Sequence, residues 1–325
     1  MRNLVVLCAG SRTVNGHPLF LLRHPDGKLI AEKVIEGIFP ESYDRIVYVV
    51  LEETDQAFGA AARILNSVGR NYPVEVLQLP EKTGGPAETA YYAVKKVEIK
   101  GQLSIRDSHS YIALSEKMTG NCVAGLDLMK YEKTIDNLRS KSFIVLNEQK
   151  QILDVVEKRF CSDVISGGLY GFKQAADFVM AYEKLSNPDY PIQELYVSHI
   201  ISYLIGYSRR VFHCASISEF EDWATPDSWM RIQKKYATYF LELETVCGMN
   251  IPYEEDTIEV LRQASRNGCR FIAYTSERSI DVSRLMAYMR DEKINILQIV
   301  TGCTASKVKA IINTRELLGE TILEG

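Results

Sequence analysis

Short apolar runs alternate with stretches of helical spacing through the first hundred residues. Residues 4–9 (Leu-Val-Val-Leu-Cys-Ala) are apolar throughout and stop at Gly10, the pattern of a strand covered on both faces. A polar loop with Asn15, Gly16, Pro18 and Pro25 follows, and apolar positions 30, 34, 35 and 38 predict a helix over 28–39. Residues 45–51 and 74–79 repeat the strand pattern on either side of a helix predicted over 55–68. Strands alternating with helices in this way predict a parallel sheet built from βα repeats.

Gly84-Gly85-Pro86 sets a flexible pair of glycines before a proline at a predicted first helical turn, and a strand at 103–105 runs into Arg106-Asp107-Ser108-His109. The middle of the chain then changes character. Residues 118–128, 142–146, 151–156 and 163–172 are short extended runs between polar turns, expected to continue the first sheet as a mixed one. Helices are expected over 174–186 and 192–205, and another from Pro226 to Lys235 with Thr225 as its N-cap. After this the βα pattern restarts, with strands at 240–246, 270–275 and 294–300 and helices at 254–266, 281–291 and 305–310. A fresh set of alternations needs its own sheet, so two domains are expected, 1–235 and 236–325. The length of 325 residues agrees, since a single core seldom grows that far.

Composition narrows the partners. The net charge of −4 comes from 38 basic and 42 acidic residues with no block of like charge, which argues against a nucleic-acid partner. Seven cysteines, at 8, 122, 161, 214, 247, 269 and 303, show no CxxC spacing and read as reduced thiols of a cytoplasmic protein. The N-terminal run lacks the length and flanks of a secretion signal, and no stretch of about 20 apolar residues predicts a membrane span.

Several segments, in order, then carry chemistry: residues 7–12 (Leu-Cys-Ala-Gly-Ser-Arg), 27–30 (Gly-Lys-Leu-Ile), 84–90 (Gly-Gly-Pro-Ala-Glu-Thr-Ala), 156–158 (Val-Glu-Lys), 167–172 (Gly-Gly-Leu-Tyr-Gly-Phe) and 221–226 (Glu-Asp-Trp-Ala-Thr-Pro). Together they resemble the sugar-phosphate nucleotidylyltransferases, across residues 1–235. The resemblance implies a GT-A or Rossmann-like nucleotidyltransferase domain. Its implied reaction transfers a nucleoside monophosphate from an NTP to a phosphorylated acceptor, with Mg²⁺ present and pyrophosphate released. Such chemistry asks for backbone N–H groups around phosphates, cations on the leaving group and carboxylates on the metal. By resemblance, Ala9, Gly10 and Ser11 wrap the triphosphate, with Arg12 and Lys28 on its charge, and Gln78, Gly84 and Gly85 meet the base. Asp107 or His109, together with Asp222, hold the metal, so Arg12, Lys28 and Asp222 form the implied catalytic set. Glu157, Lys158 and Gly168 hold the acceptor. The chain departs from the family pattern in a shortened first loop, in His109 at an acidic position and in Ala224 where glycine is usual.

From residue 239 the sequence resembles the haloacid dehalogenase (HAD) fold, a second small Rossmann-like unit. The strand at Tyr239–Val246 lacks the nucleophilic aspartate, Phe271–Arg278 matches the second motif, and Cys303, Asn313 and Thr314 stand where lysine and acidic metal ligands belong. Glu242 and Glu244 keep the charge but add a methylene, about 1.5 Å of reach, and misplacement on that scale costs about 10²-fold. A degenerate unit without phosphatase activity is expected, with its surface a candidate for homo-oligomer formation.

The combined reading is an α/β protein: a Mg-dependent nucleotidylyltransferase acting on an NTP and a sugar phosphate or similar metabolite, in service of surface polysaccharide synthesis. The alternative is a catalytically inactive nucleotide- or sugar-binding, or scaffolding, subunit of a biosynthetic assembly.

Overall fold

The first apolar run forms β1 (Arg2–Leu7), in which Leu4, Val5 and Val6 have no solvent exposure. The structure, a computed structural model, describes residues 1–10, 12–14, 16–131, 135, 138–187, 194–235, 238–246, 255–266 and 269–308. By contacts the chain divides into two compact units, Met1–Trp229 and Met230–Gly325.

In the first unit, β1 leads through a small antiparallel hairpin, β2 (Thr13–Val14) and β3 (His17–Pro18), to α1 (Ile30–Glu36). The helix is shorter than the expected 28–39. Lys28 is spent in a turn, where its carbonyl accepts from the His24 N–H at 2.8 Å, and the helix stops at Gly37. β4 (Arg45–Leu51) follows, then α2 (Glu52–Phe58) and α3 (Ala60–Ser67). The single helix expected over 55–68 is broken because Gly59 turns left-handed, with φ of 62°. β5 (Val74–Leu79), α4 (Pro86–Lys96) and β6 (Gln102–Asp107) complete a parallel order β5-β4-β1-β6. Burial on both faces explains why β1 and β4 read as apolar runs. Asn3 is fully buried within them and donates to the carbonyls of Lys100 and Gln102, each at 3.0 Å, which ties the start of β1 to β6.

The sheet continues mostly in antiparallel fashion. The added elements are β7 (Ser110–Leu114), β8 (Cys122–Asp127), β9 (Ser142–Leu146), β10 (Gln151–Glu157), β11 (Val164–Phe172), α5 (Ala175–Leu185), α6 (Val197–Gly206) and β12 (Phe212–Asp222). The order extends from β6 as β11-β8-β12-β10-β9, with β7 on β12 and with β8 and β12 paired in parallel, so the whole is a mixed ten-stranded sheet. β7 and β12 were absent from the sequence-based expectation. β11 changes register against β8 between Ser166 and Tyr170, where Gly168 has φ of +75°. α7 (Pro226–Lys235) begins at Thr225, whose Oγ1 accepts from the Ser228 N–H at 3.1 Å.

The second unit contains β13 (Thr238–Glu242), α8 (Leu243–Val246), α9 (Glu255–Arg266), β14 (Arg270–Thr275), α10 (Val282–Asp291) and β15 (Ile296–Thr301). Its three strands are parallel in the order β13-β14-β15, over a core that includes Leu243, Leu261, Phe271, Ala273 and Met289. The strand expected over 240–246 ends at Glu242 and turns helical, which puts Glu244 in a first helical turn. Among the described residues no helix is long and apolar enough to cross a membrane.

Gly37 sits where α1 meets β7. A Cβ there would lie 2.2 Å from the Ile112 carbonyl oxygen and 2.7 Å from the Ala113 Cα, and neither can swing away. Gly37→Ala is expected to cost about 2 kcal/mol by overpacking, read as a lower midpoint in urea denaturation. An unchanged midpoint would show that β7 yields without cost.

Candidate functional site

A cavity of about 440 Å³ lies at the carboxyl ends of β1 and β6, the position where open α/β sheets place their ligands. Its walls include, in the first unit, the chain after β1 (Ala9, Gly10, Arg12), the turn before α4 (Lys82, Gly84, Gly85), the end of β6 (Asp107, His109), the hairpin of β9 and β10 (Lys141, Glu157), the bend of β11 (Gly167, Gly168) and the segment before α6 (Glu194, Tyr196). Ser108 Oγ donates to the Leu7 carbonyl at 2.6 Å, which locks the exit of β6 to the exit of β1. Ser11 lies outside the described residues.

Two glycines are required for shape. At Gly85 a Cβ would meet the Leu195 carbonyl oxygen at 2.9 Å, and the same carbonyl accepts from the Ala87 N–H at 3.1 Å, so α4 starts against the backbone before α6. At Gly168 a Cβ would fall 2.6 Å from Asp107 Oδ2, on a backbone with positive φ. Removing either side chain is what lets two segments approach the same space.

A buried guanidinium, Arg106, lies next to the cavity residue Asp107 in the chain. It is fully buried, with Nε donating to the Val34 carbonyl at 3.2 Å and Nη1 to the carbonyls of Gly167 and Gly168 at 2.8 and 3.1 Å. Its other terminal nitrogen donates to Ser110. Burial lowers its pKa to about 10, which leaves it charged at neutral pH. Burial likewise raises Asp107 to about 6, against the opposing pull of Arg106 and Arg12. His109 is pushed well below the usual imidazole range by burial first, then by Arg12, Lys141 and Arg106, so it is neutral.

The expected cation ligands do not come together. Asp222 is absent from the cavity wall. Its Oδ2 is 2.6 Å from Lys141 Nζ, with the two side chains 8% and 10% exposed, and its Oδ1 accepts from the Ala224 N–H at 2.9 Å. Lys141 is the member of that pair on the wall. With Asp222 so committed and His109 a poor partner for Mg²⁺, Asp107 remains as a lone carboxylate, and the set does not fit that ion. Among the described residues no three His, Cys, Asp or Glu side chains group to hold a metal.

Two further expectations are corrected. Lys28 does not line the cavity; its Nζ pairs with Glu36 Oε1 at 2.8 Å on the surface, where a helix-start lysine is drawn to the acidic end of α1. Gln78 is exposed on β5 and donates to Asp55 Oδ2 at 2.7 Å, away from the cavity wall. Of the expected acceptor residues, Glu157 is on the wall and accepts from Ser198 Oγ at 2.6 Å and from Ser142 Oγ. Lys158 is not on the wall. Its ammonium lies 4.2 Å from the Tyr196 ring centroid, hydrogen-bonds the Tyr196 hydroxyl and is 3.8 Å from Glu194. Sequence reasoning missed Lys82, Lys141 and Tyr196. For Lys141 a signal existed: pairing 142–146 with 151–157 as a hairpin sets Ser142 against Glu157 and brings Lys141 beside the Glu157-Lys158 pair.

In the second unit, Glu244 Oε1 accepts from Thr275 Oγ1 at 2.8 Å, Ser276 N at 2.7 Å and Ser276 Oγ at 2.8 Å. Burial opposes its ionisation, and these bonds from Ser276 and Thr275 outweigh it and lower the pKa. The end of β14 thus already holds an anion, the protein's own. Asn313 and Thr314 lie outside the described residues.

No family profile and no curated protein matches the sequence. The fold is similar to that of a nucleoside-diphosphate-sugar pyrophosphorylase from Vibrio cholerae RC9, with a TM-score of 0.58 and 18% identity, over 70% of this chain and 98% of that one. It is also similar to an inositol-1-phosphate CTP transferase from T. maritima, with a TM-score of 0.54 and 15% identity, over 72% of this chain and 97% of that one. At these identities the likeness is one of fold: a mixed parallel and antiparallel α/β sheet of the nucleotidyltransferase kind.

Arg106→Met would strand the Gly167 and Gly168 carbonyls in the interior, and a loss of at least about 3 kcal/mol in urea denaturation is expected. Asp107 makes the opposite prediction. Its folded pKa of about 6 exceeds the ordinary carboxyl value of 3.8, so the folded state binds the proton more tightly and loses stability as pH rises from about 4 through 6. Asp107→Asn is therefore expected to raise the melting temperature at pH 8 more than at pH 5, measured in a chelator; an equal shift at both would place that titration elsewhere.

Proposed function

We propose that the first unit binds a nucleoside triphosphate and a phosphorylated small molecule, foremost a sugar phosphate, and transfers the nucleoside monophosphate with release of pyrophosphate. The observation that carries this reading is the composition of a single cavity wall. Backbone made approachable by Gly10, Gly84 and Gly85, the cations Arg12 and Lys82, and the hydroxyl-accepting Glu157 beside Gly168 all line it. The two fold relatives, named for a nucleoside-diphosphate-sugar pyrophosphorylase and an inositol-1-phosphate CTP transferase, support the same class.

In this reaction an oxygen of the acceptor phosphate attacks the α-phosphorus in line. The bond from that phosphorus to the bridging oxygen breaks, and the electron pair leaves with pyrophosphate. No protein nucleophile is needed, and catalysis consists of positioning and charge. Gly84 and Gly85 admit the base to backbone groups, Arg12 meets the charge of the leaving group, and Glu157, steadied by Ser142 and Ser198, accepts hydroxyls of the acceptor. The resemblance implies Mg²⁺ for this class, and the residues expected to hold it do not fit that ion.

A second reading, binding without turnover, draws on Lys158, which does not itself line the cavity and whose ammonium is taken up by Tyr196 and Glu194 of its wall. The second unit is given no chemistry in either reading. Its resemblance to the haloacid dehalogenase fold fits three parallel strands with a carboxylate of its own in the anion position at Thr275 and Ser276.

Pyrophosphate release from each NTP with a panel of sugar 1-phosphates tests the proposal. Release with at least one pair is expected, and Arg12→Met should lower kcat/KM by about 10²-fold. Ligand binding without release would select the second reading, and release untouched by Arg12→Met would move the reaction out of this cavity.

A further inference from the structure

We propose that Lys141 takes the cation position of this cavity, so that its phosphate-bearing ligand binds without a divalent metal. The inference rests on the nucleotide reading above and adds to it the identity of the positive charge.

Lys141 is built into place. Its N–H donates to the Leu138 carbonyl at 3.0 Å, its carbonyl accepts from the Lys158 N–H at 3.1 Å, and its ammonium lies 5.9 Å from the Phe220 ring centroid. Both carboxylate oxygens of Asp222 are committed, one to this ammonium at 2.6 Å and the other to the Ala224 N–H. A Mg²⁺ ion gives up its water reluctantly and is bound through carboxylate oxygens. To reach Asp222 it would have to expel a nearly buried ammonium and leave that charge unpaired beside a doubly charged ion, which is strongly unfavourable.

The replacement is chemically sufficient. A lysine ammonium carries three N–H donors, and the bond to Asp222 uses one, which leaves two for phosphate oxygens. The ion pair is neutral as a whole, yet of its two residues Lys141 lines the cavity and Asp222 does not, so an entering phosphate approaches the pair from the side of the lysine. Arg12 on the same wall supplies a second, permanently charged donor group.

The test measures binding by isothermal titration calorimetry on the full chain, with inorganic pyrophosphate and with each of the four NTPs as probes. Each titration is run once in EDTA and once in excess MgCl₂. Wild type is expected to bind pyrophosphate and at least one NTP in EDTA with a Kd within about threefold of the value in Mg²⁺, a difference under 1 kcal/mol. Lys141→Met is expected to bind about tenfold more weakly in EDTA, the worth of one charged hydrogen bond, and to regain affinity in Mg²⁺ once Asp222 is free to take the ion. Wild-type binding that requires Mg²⁺ would overturn the role of Lys141 and leave the nucleotide reading standing. Lys141→Met binding as tightly as wild type in EDTA would overturn it as well. Absence of binding to every probe in both buffers would overturn the nucleotide reading itself. The wild-type comparison needs no variant, so it decides the matter even if circular dichroism shows Lys141→Met to be unfolded.

Discussion

A guanidinium sealed inside the sheet is the constraint on which the first unit depends. Arg106 has no exposed surface, and its donors reach α1 at Val34, the bend of β11 at Gly167 and Gly168, and the start of β7 at Ser110. β6 is where the all-parallel strands meet the first antiparallel pairing of the sheet. At that seam β11 bends away from its regular register, and carbonyls turned inward by the bend would be costly without a donor. The charge is stabilised by those carbonyl dipoles, and successive residues of a strand point to opposite faces, so the next residue, Asp107, is left for the cavity. One side chain therefore holds the bend and, one position on, opposes the effect of burial on Asp107.

The same logic separates what could be read in the sequence from what could not. β4, β5 and β9 were legible because each is a run of apolar or alternating residues that declares its burial locally. β12 was not, since Ser216, Ser218, Glu219 and Glu221 interrupt it and resemble a surface loop; it is a strand because β7, β8 and β10 pair with it. β7 was hidden behind the polar exit of β6. The glycine turns of the site could be found in the sequence, because a missing Cβ is a local property. Lys28 and Gln78 misled because nothing local tells a lysine or glutamine on the wall of a cleft from one satisfied by the neighbouring Glu36 or Asp55. Lys141 escaped because its meaning lies in a partner 81 residues away.

The two units treat anions differently. In the first, Arg12, Lys82 and Lys141 are gathered on one cavity wall. In the second, Glu244 fills the donors at the end of β14 with a covalently tethered carboxylate. Those donors at the end of β14 therefore already have an acceptor within the chain.

The spread of the cavity along the chain also orders events in time. Arg12 bonds to the Ala224 carbonyl 212 residues away, and the Lys141 and Asp222 pair closes a span of 81. Contacts of such separation form late, because the entropy of closing the loops must be met before they return anything. A growing chain could assemble the parallel strands early, but it has no complete cavity until β12 has emerged and docked. Occupancy of the site is thus a report that synthesis has passed residue 222 and that the sheet has closed, and a ligand present during synthesis would hold only finished molecules.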